Sequence, residues 1–382
     1  MQPEPVRLHS VEFGAVVVTP RTEWVFAKFR DADGTTAEVE VTAANLSEGV
    51  VKGIAQAVDG LRATPIADER DVPAMLGIAE DGLRADLAGA TVVSALRTAV
   101  SLTQSLKLGV SLCEALGGEA TTRVPLYANI NRGLFASGRT PGEFAKAAER
   151  AASEGFRAVK CAPFDEVTPG CGTAEAVRLA ATGIQRVAAV TAAVGPEVTV
   201  MVDCHSRFDE ESALAVCGEL AALEVAWFEE PVDPAADSDV LARIAAHVPL
   251  PVAGGEHCYR EDQFAELTES GAIRIIMPDV KFCGGAAVAA RAGRAAVASG
   301  RGVSLHCPSG PLSLLTSGHA TAAIPGAMRL EHAVCEADWR ATFLSPAESI
   351  SDGYLHLTAA PGLGAGLDWN LLQRIGRVWR EP

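Results

Sequence analysis

Val198-Thr199-Val200-Met201-Val202-Asp203, Ala226-Trp227-Phe228-Glu229 and Pro251-Val252-Ala253-Gly254-Gly255-Glu256 are three successive apolar runs, each ending on a carboxylate. Runs of this kind, followed by an Ala-rich helical stretch and a Gly or Pro break, read as buried strands of a βα repeat. The unit recurs from about Thr121, and its polar ends fall near Asn129, Lys160, Asp203, Glu229, Glu256, Asp279, His306 and Glu331. After the longer second unit the ends are about 25 residues apart, the length of one βα step. Eight such ends predict a closed α/β barrel of the TIM type rather than an open sheet.

The chain has 382 residues, 48% of them hydrophobic. That exceeds what a minimal eight-stranded barrel needs, so a smaller second domain is expected. Before Thr121 the pattern changes to an α+β meander. Val11–Pro20 and Glu23–Arg30 read as strands, Asp31-Ala32-Asp33-Gly34 as a turn, and Ala37–Val41 as a third strand. Helices follow, the last running from about Gly89 to Leu116. The expected division is an α+β domain over residues 1–120, a barrel over 121–349, and a carboxy-terminal return over 350–382. In that return Tyr354–Leu367 reads as strand and turn, pairing back with the amino-terminal domain. Thr140-Pro141-Gly142-Glu143 is a capping box that opens the first barrel helix, and Thr173-Ala174-Glu175 opens the second. No low-complexity linker separates the domains, so they are expected to pack tightly.

A formal net charge of −16 argues against nucleic acid or an anionic membrane as partner, since both need a basic face. An anionic substrate then requires a local cation. The nine cysteines are scattered and never form a C-x-x-C pair, which reads as reduced thiols in a cytoplasmic protein. The start, MQPEPVRLHS, lacks a signal pattern, and the Ala/Val-rich stretch Gly284–Gly300 is interrupted by Arg291 and Arg294. A cytoplasmic homo-oligomer acting on a small-molecule carboxylate is the expectation.

In barrels of this type catalytic groups sit at the carboxyl ends of the strands. Asp203, Glu229 and Glu256 therefore meet at one mouth, where three unpaired anions repel. A hard divalent cation relieves that repulsion, and oxygen-only ligation favours Mg²⁺ or Mn²⁺ over zinc. Alternation lets only one of Glu229 and Glu230 face the mouth. Asp279 and His306 end neighbouring strands, and a carboxylate beside an imidazole fixes its tautomer and raises its basicity, as a general base requires. His205 lies two residues beyond Asp203, so a persisting strand would point both the same way. It would then face His306 across half the barrel circumference, one imidazole removing a proton and the other protonating a leaving group. Lys160 is a candidate cation for a substrate carboxylate. Glu331, if protonated, would donate a hydrogen bond to an enolate oxygen; ionised, it would orient a neighbour.

The ordered motifs resemble the mandelate racemase group of the enolase superfamily. They are Ala115-Leu116-Gly117-Gly118, Val159-Lys160-Cys161-Ala162, Val202-Asp203-Cys204-His205, Trp227-Phe228-Glu229-Glu230-Pro231-Val232, Ala253-Gly254-Gly255-Glu256, Met277-Pro278-Asp279 with Gly284-Gly285, His306-Cys307-Pro308-Ser309-Gly310-Pro311 and Leu330-Glu331. The resemblance implies a (β/α)₇β barrel with an α+β capping domain. It also implies Mg²⁺ on Asp203, Glu229 (rather than Glu230) and Glu256, an Asp279–His306 dyad that takes the α-proton, Lys160 on the carboxylate and Glu331 on the enolate. A His or Lys base with Mg²⁺ stabilising an enediolate is the mechanism known for this superfamily. One departure is informative: racemases of the group carry Lys-x-Lys on the second strand, whereas this chain has Lys160-Cys161-Ala162. Asp203-x-His205 and His306-Cys307-Pro308 are instead similar to the acid sugar dehydratases, in which the first histidine protonates the departing hydroxyl.

The resulting expectation is Mg²⁺-dependent elimination of water from a hydroxy acid, a sugar acid, to a 2-keto-3-deoxy acid. The competing readings are an epimerase, racemase or cycloisomerase, a dehydratase of hydroxylated amino acids, a metal-dependent amidohydrolase and a non-catalytic barrel. The amidohydrolase wants His-x-His at the end of the first strand, which Tyr127-Ala128-Asn129-Ile130-Asn131 lacks.

Overall fold

The computed structural model describes residues 4–62, 64–120 and 123–381. The amino-terminal sheet is an antiparallel meander of β1 (Leu8–Thr19), β2 (Thr22–Asp31) and β3 (Thr36–Glu40). Both of its faces bury aromatic rings, Phe13 and Phe29 on one and Phe26 on the other. The expected strands overlap these, and Gly34 turns the second into the third with φ of 93°, a left-handed conformation that glycine adopts without a Cβ clash. The expected domain boundary at 120/121 adjoins residues 121 and 122, which lie outside the described residues.

The barrel strands are β4 (Arg123–Asn129), β5 (Ala158–Cys161), β6 (Thr199–Asp203), β7 (Phe228–Glu229), β8 (Val252–Gly254), β9 (Ile275–Ile276), β10 (Gly302–Val303) and β11 (Leu330–Ala333). Each of β4 to β9 pairs in parallel with the next, and β11 pairs in parallel with β4. The ring closes through Met328 N–H to Val303 O at 2.8 Å and Glu331 N–H to Leu305 O at 3.3 Å. The eight-stranded α/β barrel read from the sequence is therefore present.

Two local expectations change. The long capping-domain helix is interrupted: it runs Leu87–Leu108, stops at Gly109 with φ of 69°, and a short helix Leu112–Ala115 restarts under a Ser111/Glu114 capping box. The Thr140 capping box forms as expected, opening Pro141–Ser153. Thr173 opens the helix Thr173–Val194, also as expected, and its hydroxyl bonds Asp209 at 2.9 Å. Tyr354–His356 pairs with the leading end of barrel strand β4 rather than with the amino-terminal sheet. The return to that sheet is made later, by Arg377–Trp379 against β1.

Two buried contacts lock the domains. Gly285 has φ of 98°, and a Cβ there would stand 2.8 Å from Thr98 Oγ1 and 3.0 Å from Ser94 O on the Leu87–Leu108 helix. The neighbouring Gly284 N–H donates to Ser94 Oγ at 2.8 Å. The second contact is Glu40 at the end of β3, which accepts Gly310 N–H at 2.7 Å and Ser313 N–H at 3.0 Å. These amides begin the barrel helix Pro311–Ala322, where unpaired N–H groups and the helix dipole both favour a carboxylate.

The helix Thr173–Val194 has the length and composition of a membrane span. In the fold it packs beside Pro141–Ser153, and its Arg186 donates to Pro163 O at 2.6 Å and Glu166 at 2.7 Å. All nine cysteines are free.

His319, inside the Pro311–Ala322 helix, yields a pH-dependent stability. It is buried; its Nδ1 accepts Cys113 N–H at 3.3 Å, and its Nε2 faces Leu363 O at 3.4 Å. Burial pushes the imidazole down from 6.5 to about 4. Between those values the unfolded chain binds a proton that the folded chain does not, so stability present above pH 6.5 is lost on acidification toward pH 4. The slope is about 1.4 kcal/mol per pH unit at most. Urea unfolding of His319→Gln should show a shallower loss than wild type across this window. Parallel pH profiles would refute the assignment.

Candidate active site

Strand alternation brings the polar residues to one mouth. Tyr127, Ala158, Met201, Trp227, Ala253, Ile275 and Met277 form a buried cluster inside the barrel, with Tyr127 edge-on to Trp227 at 5.6 Å. Two residues further along stand Asn129, Lys160, Asp203, Glu229 and Asp279. The two-residue period of a strand turns each of them to the same axis, one layer nearer the mouth.

Above them lies a cavity of about 360 Å³, at the small end of the roughly 300–1,000 Å³ typical of small-molecule sites. Asn129, Asp203, His205, Glu256 and His306 wall it from the barrel, and Arg21, Trp24, Thr42 and Asn45 wall it from the amino-terminal domain.

Asp203 closes β6. Its Oδ1 accepts the His205 backbone N–H at 2.9 Å, and its Oδ2 stands 2.8 Å from His205 Nε2. The strand does not run on to His205 as expected: His205 and Ser206 have φ of 49° and 55°. The imidazole reaches the cavity through this left-handed turn, not through alternation. Asp203 pushes it up to about 9, against the effect of burial.

His306 is fixed from both sides. Nδ1 lies 2.9 Å from Asp279 Oδ2 and Nε2 lies 2.9 Å from Glu256 Oε2. Asp279 is itself held by the Lys281 backbone N–H at 2.8 Å and by the Lys281 ammonium at 3.1 Å. Burial opposes charge on His306, but Glu256 and Glu331 outweigh it and hold the imidazole well above its usual range.

Lys160, Glu229 and Glu331 form a buried layer beneath the cavity and are absent from its wall. Lys160 Nζ is 2.6 Å from Glu229 Oε1 and 3.0 Å from Glu331 Oε1. Burial opposes its charge, yet the two glutamates keep it protonated. Glu229 Oε2 accepts Trp227 Nε1–H at 2.9 Å. Glu331 accepts Asn129 Nδ2–H and Cys307 N–H, both at 2.8 Å. Burial would raise its carboxyl, but Lys160 and His306 outweigh that and keep it low. An ionised Glu331 has no proton to donate, so in this arrangement it orients Lys160 and Asn129. Glu230 turns away from the axis, with φ of 39°, to accept Gly255 N–H at 2.7 Å. Alternation thus leaves Glu229 as the inward glutamate.

Among the described residues no three carboxylate, imidazole or thiol side chains converge as an ion site. The donor chemistry nevertheless fits a hard dication. Asp203, Glu229 and Glu256 supply only oxygens from consecutive strand ends, and each is now neutralised by a separate protein cation: His205, Lys160 and His306. A divalent ion would take the place of those three pairings.

Residues 143–371 match the family described as Enolase C-terminal domain-like. The chain belongs to the enolase superfamily. Across 293 residues it is 26% identical to a D-galactonate dehydratase of Ralstonia pickettii, covering 72% of each chain. A D-xylonate dehydratase of Haloferax volcanii is 32% identical over 190 residues, 50% of this chain and 46% of that enzyme, so the match spans about half of that relative's length. A D-galactarolactone cycloisomerase of Agrobacterium fabrum is 33% identical over 177 residues, 46% of this chain and 43% of that one. In fold, the chain superposes on a mandelate racemase/muconate lactonizing enzyme from Sulfitobacter with a TM-score of 0.85 at 22% identity, covering 97% and 95% of the two chains. A member of the enolase superfamily from Salmonella Typhimurium gives 0.84 at 22% identity, covering 99% and 100%.

This enolase-superfamily site contains two residues that sequence reading passed over. Lys281 lines the cavity and clamps Asp279; its place two residues after a strand-end aspartate was the available signal. His257 also lines the cavity, with Nε2 3.6 Å from Glu256 Oε1, and it adjoins Glu256 in sequence.

Proposed function

We propose that this chain is a Mg²⁺-dependent dehydratase (a hydro-lyase) that removes the proton next to the carboxylate of a hydroxy acid, a sugar acid, and expels water to give a 2-keto-3-deoxy acid. The observation that carries this reading is a pair of carboxylate-anchored imidazoles on the wall of one cavity. His306 is held by Asp279 on β10's side of the barrel, and His205 by Asp203 on β6's side. These are the seventh and third barrel strands, half a circumference apart.

Asp279 turns His306 so that Nε2 faces the cavity; with Glu256 committed to an ion rather than to Nε2, the imidazole would lose the pairing that holds it protonated and accept the α-proton at Nε2. His205 protonates the β-hydroxyl as its C–O bond breaks, so one water leaves and the resulting enol becomes the keto acid. Asp203, Glu229 and Glu256 would hold Mg²⁺, which when bound supplies positive charge against the substrate carboxylate. With Glu229 holding the ion, Lys160 would be available to that carboxylate, and Glu331 would keep its ammonium in place. Ala162, where the group's racemases have a lysine, leaves the second strand without a second base. A capping domain over 1–120 and 350–382, a barrel over 121–349, a cytoplasmic location and a homo-oligomeric state belong to the same proposal.

The test is a screen of acid sugars with Mg²⁺, read as 2-keto acid formation and, in D₂O, as α-proton exchange. Keto acid from at least one sugar acid is the expected result. Exchange without keto acid across the panel would replace the dehydratase by an epimerase, and neither signal would leave a binding protein.

A further inference from the structure

We infer that the outer end of the cavity is a second anion site, built by Arg21 and Arg132, and that the substrate carries an oxyanion at the end remote from the reacting carboxylate. This deepens the dehydratase proposal and rests on it for the identity of the reacting end. Arg21 lies in the turn between β1 and β2, and Arg132 on the short helix Asn131–Ser137 that follows β4. Both line the same cavity as Asp203, Glu256 and His306.

Each guanidinium is oriented by the opposite domain. Arg132 Nη1 donates to Thr22 Oγ1 at 3.2 Å, and Arg21 stacks over the Phe135 ring with its central carbon 5.0 Å from the centroid. Phe135 is 37% exposed, an unusual position for a large aromatic that the stacking explains. The stacking engages no N–H of Arg21, and the Thr22 contact engages a single Nη1–H of the Arg132 fork. Among the described residues no carboxylate lies within 4.0 Å of either arginine, while Glu23 on the same rim is taken by Arg377 at 3.1 Å. Glu336 is an acid near Arg132, but burial pushes its carboxyl up, so it offers a weakened counter-charge. In a chain of net charge −16, two guanidiniums without an ion-pair partner at the mouth of a cavity form a local positive site. Their planar forks suit bidentate binding of a carboxylate or phosphate.

The inner end binds one carboxylate in the proposed reaction, so the ligand that fills both ends is a hydroxy diacid or an ω-phosphorylated hydroxy acid. Calorimetric titration of the Mg²⁺-loaded protein with six-carbon aldonates, the matching aldarates and the matching 6-phosphoaldonates separates these. At least one dianionic acid should bind tenfold or more tighter than its monoanionic counterpart; whether it is the aldarate or the phosphate names the oxyanion. Arg21→Gln and Arg132→Gln should each remove most of that advantage while leaving the aldonate Kd within about twofold. Equal binding of mono- and dianionic acids by the wild type overturns the inference without any variant. So does an equal loss for both ligand classes in the variants. A persisting dianion advantage with no α-proton exchange from any acid would overturn the dehydratase proposal and leave the anion site standing.

Discussion

Replacing His306 with asparagine should stop both α-proton exchange and keto-acid formation, each falling by roughly a hundred- to ten-thousand-fold, the usual contribution of a positioned general base. Asparagine keeps a polar group near Asp279 but has no nitrogen that can take a proton. Asp279 keeps its pairing with Lys281, and Glu256 is left to the ion that it would hold. Asp279→Asn should act in the same direction with a smaller effect, because the base survives but loses its orientation. Proton NMR of substrate in D₂O with Mg²⁺ measures exchange and product together. An unchanged exchange rate in His306→Asn would place the base elsewhere.

His205→Asn separates the two halves of the reaction. Keto acid should fall by about a hundredfold or more, since the hydroxyl then leaves without a proton donor, while α-proton exchange stays within a few-fold of wild type. The substitution suits the backbone: residue 205 has φ of 49°, and asparagine is among the residues that best tolerate this left-handed region. Because the two imidazoles sit on opposite sides of the barrel, the elimination should be anti. Full keto-acid production by His205→Asn would remove it from the mechanism and return the reading to an epimerase.

The barrel was legible because its strands follow one rule. Each apolar run puts a filler such as Met201 or Trp227 on the axis, and two residues later a polar side chain, Asp203 or Glu229, takes the same direction. A period of two is visible in sequence. The depth of a side chain below the mouth is not, so Lys160, Glu229 and Glu331 could be placed on the axis but not beneath the cavity floor. A continued strand would bring His205 to the site, but it arrives by a left-handed turn that no hydrophobic pattern encodes. Lys281 and the wall contributed by Arg21, Trp24, Thr42 and Asn45 depend on how two domains meet, information that lies in no single segment. The tail shows the same limit: Tyr354–His356 alternates like any edge strand, and which sheet edge it joins is decided by proximity.

Glu40 bears on how such proteins can be rebuilt. Its carboxylate, on the last strand of the amino-terminal sheet, terminates a barrel helix whose preceding loop carries His306, Pro308 and Ser309. A chimera that receives another relative's capping domain therefore changes more than the roof of the cavity. Unless the donor brings an acid to the same place, the recipient loses the ligand of two helix-initiating amides, and the loop bearing His306 loses its anchor. Transplanting specificity between these enzymes would then require position 40 to travel with the recipient barrel, as part of its catalytic half rather than of the exchanged module.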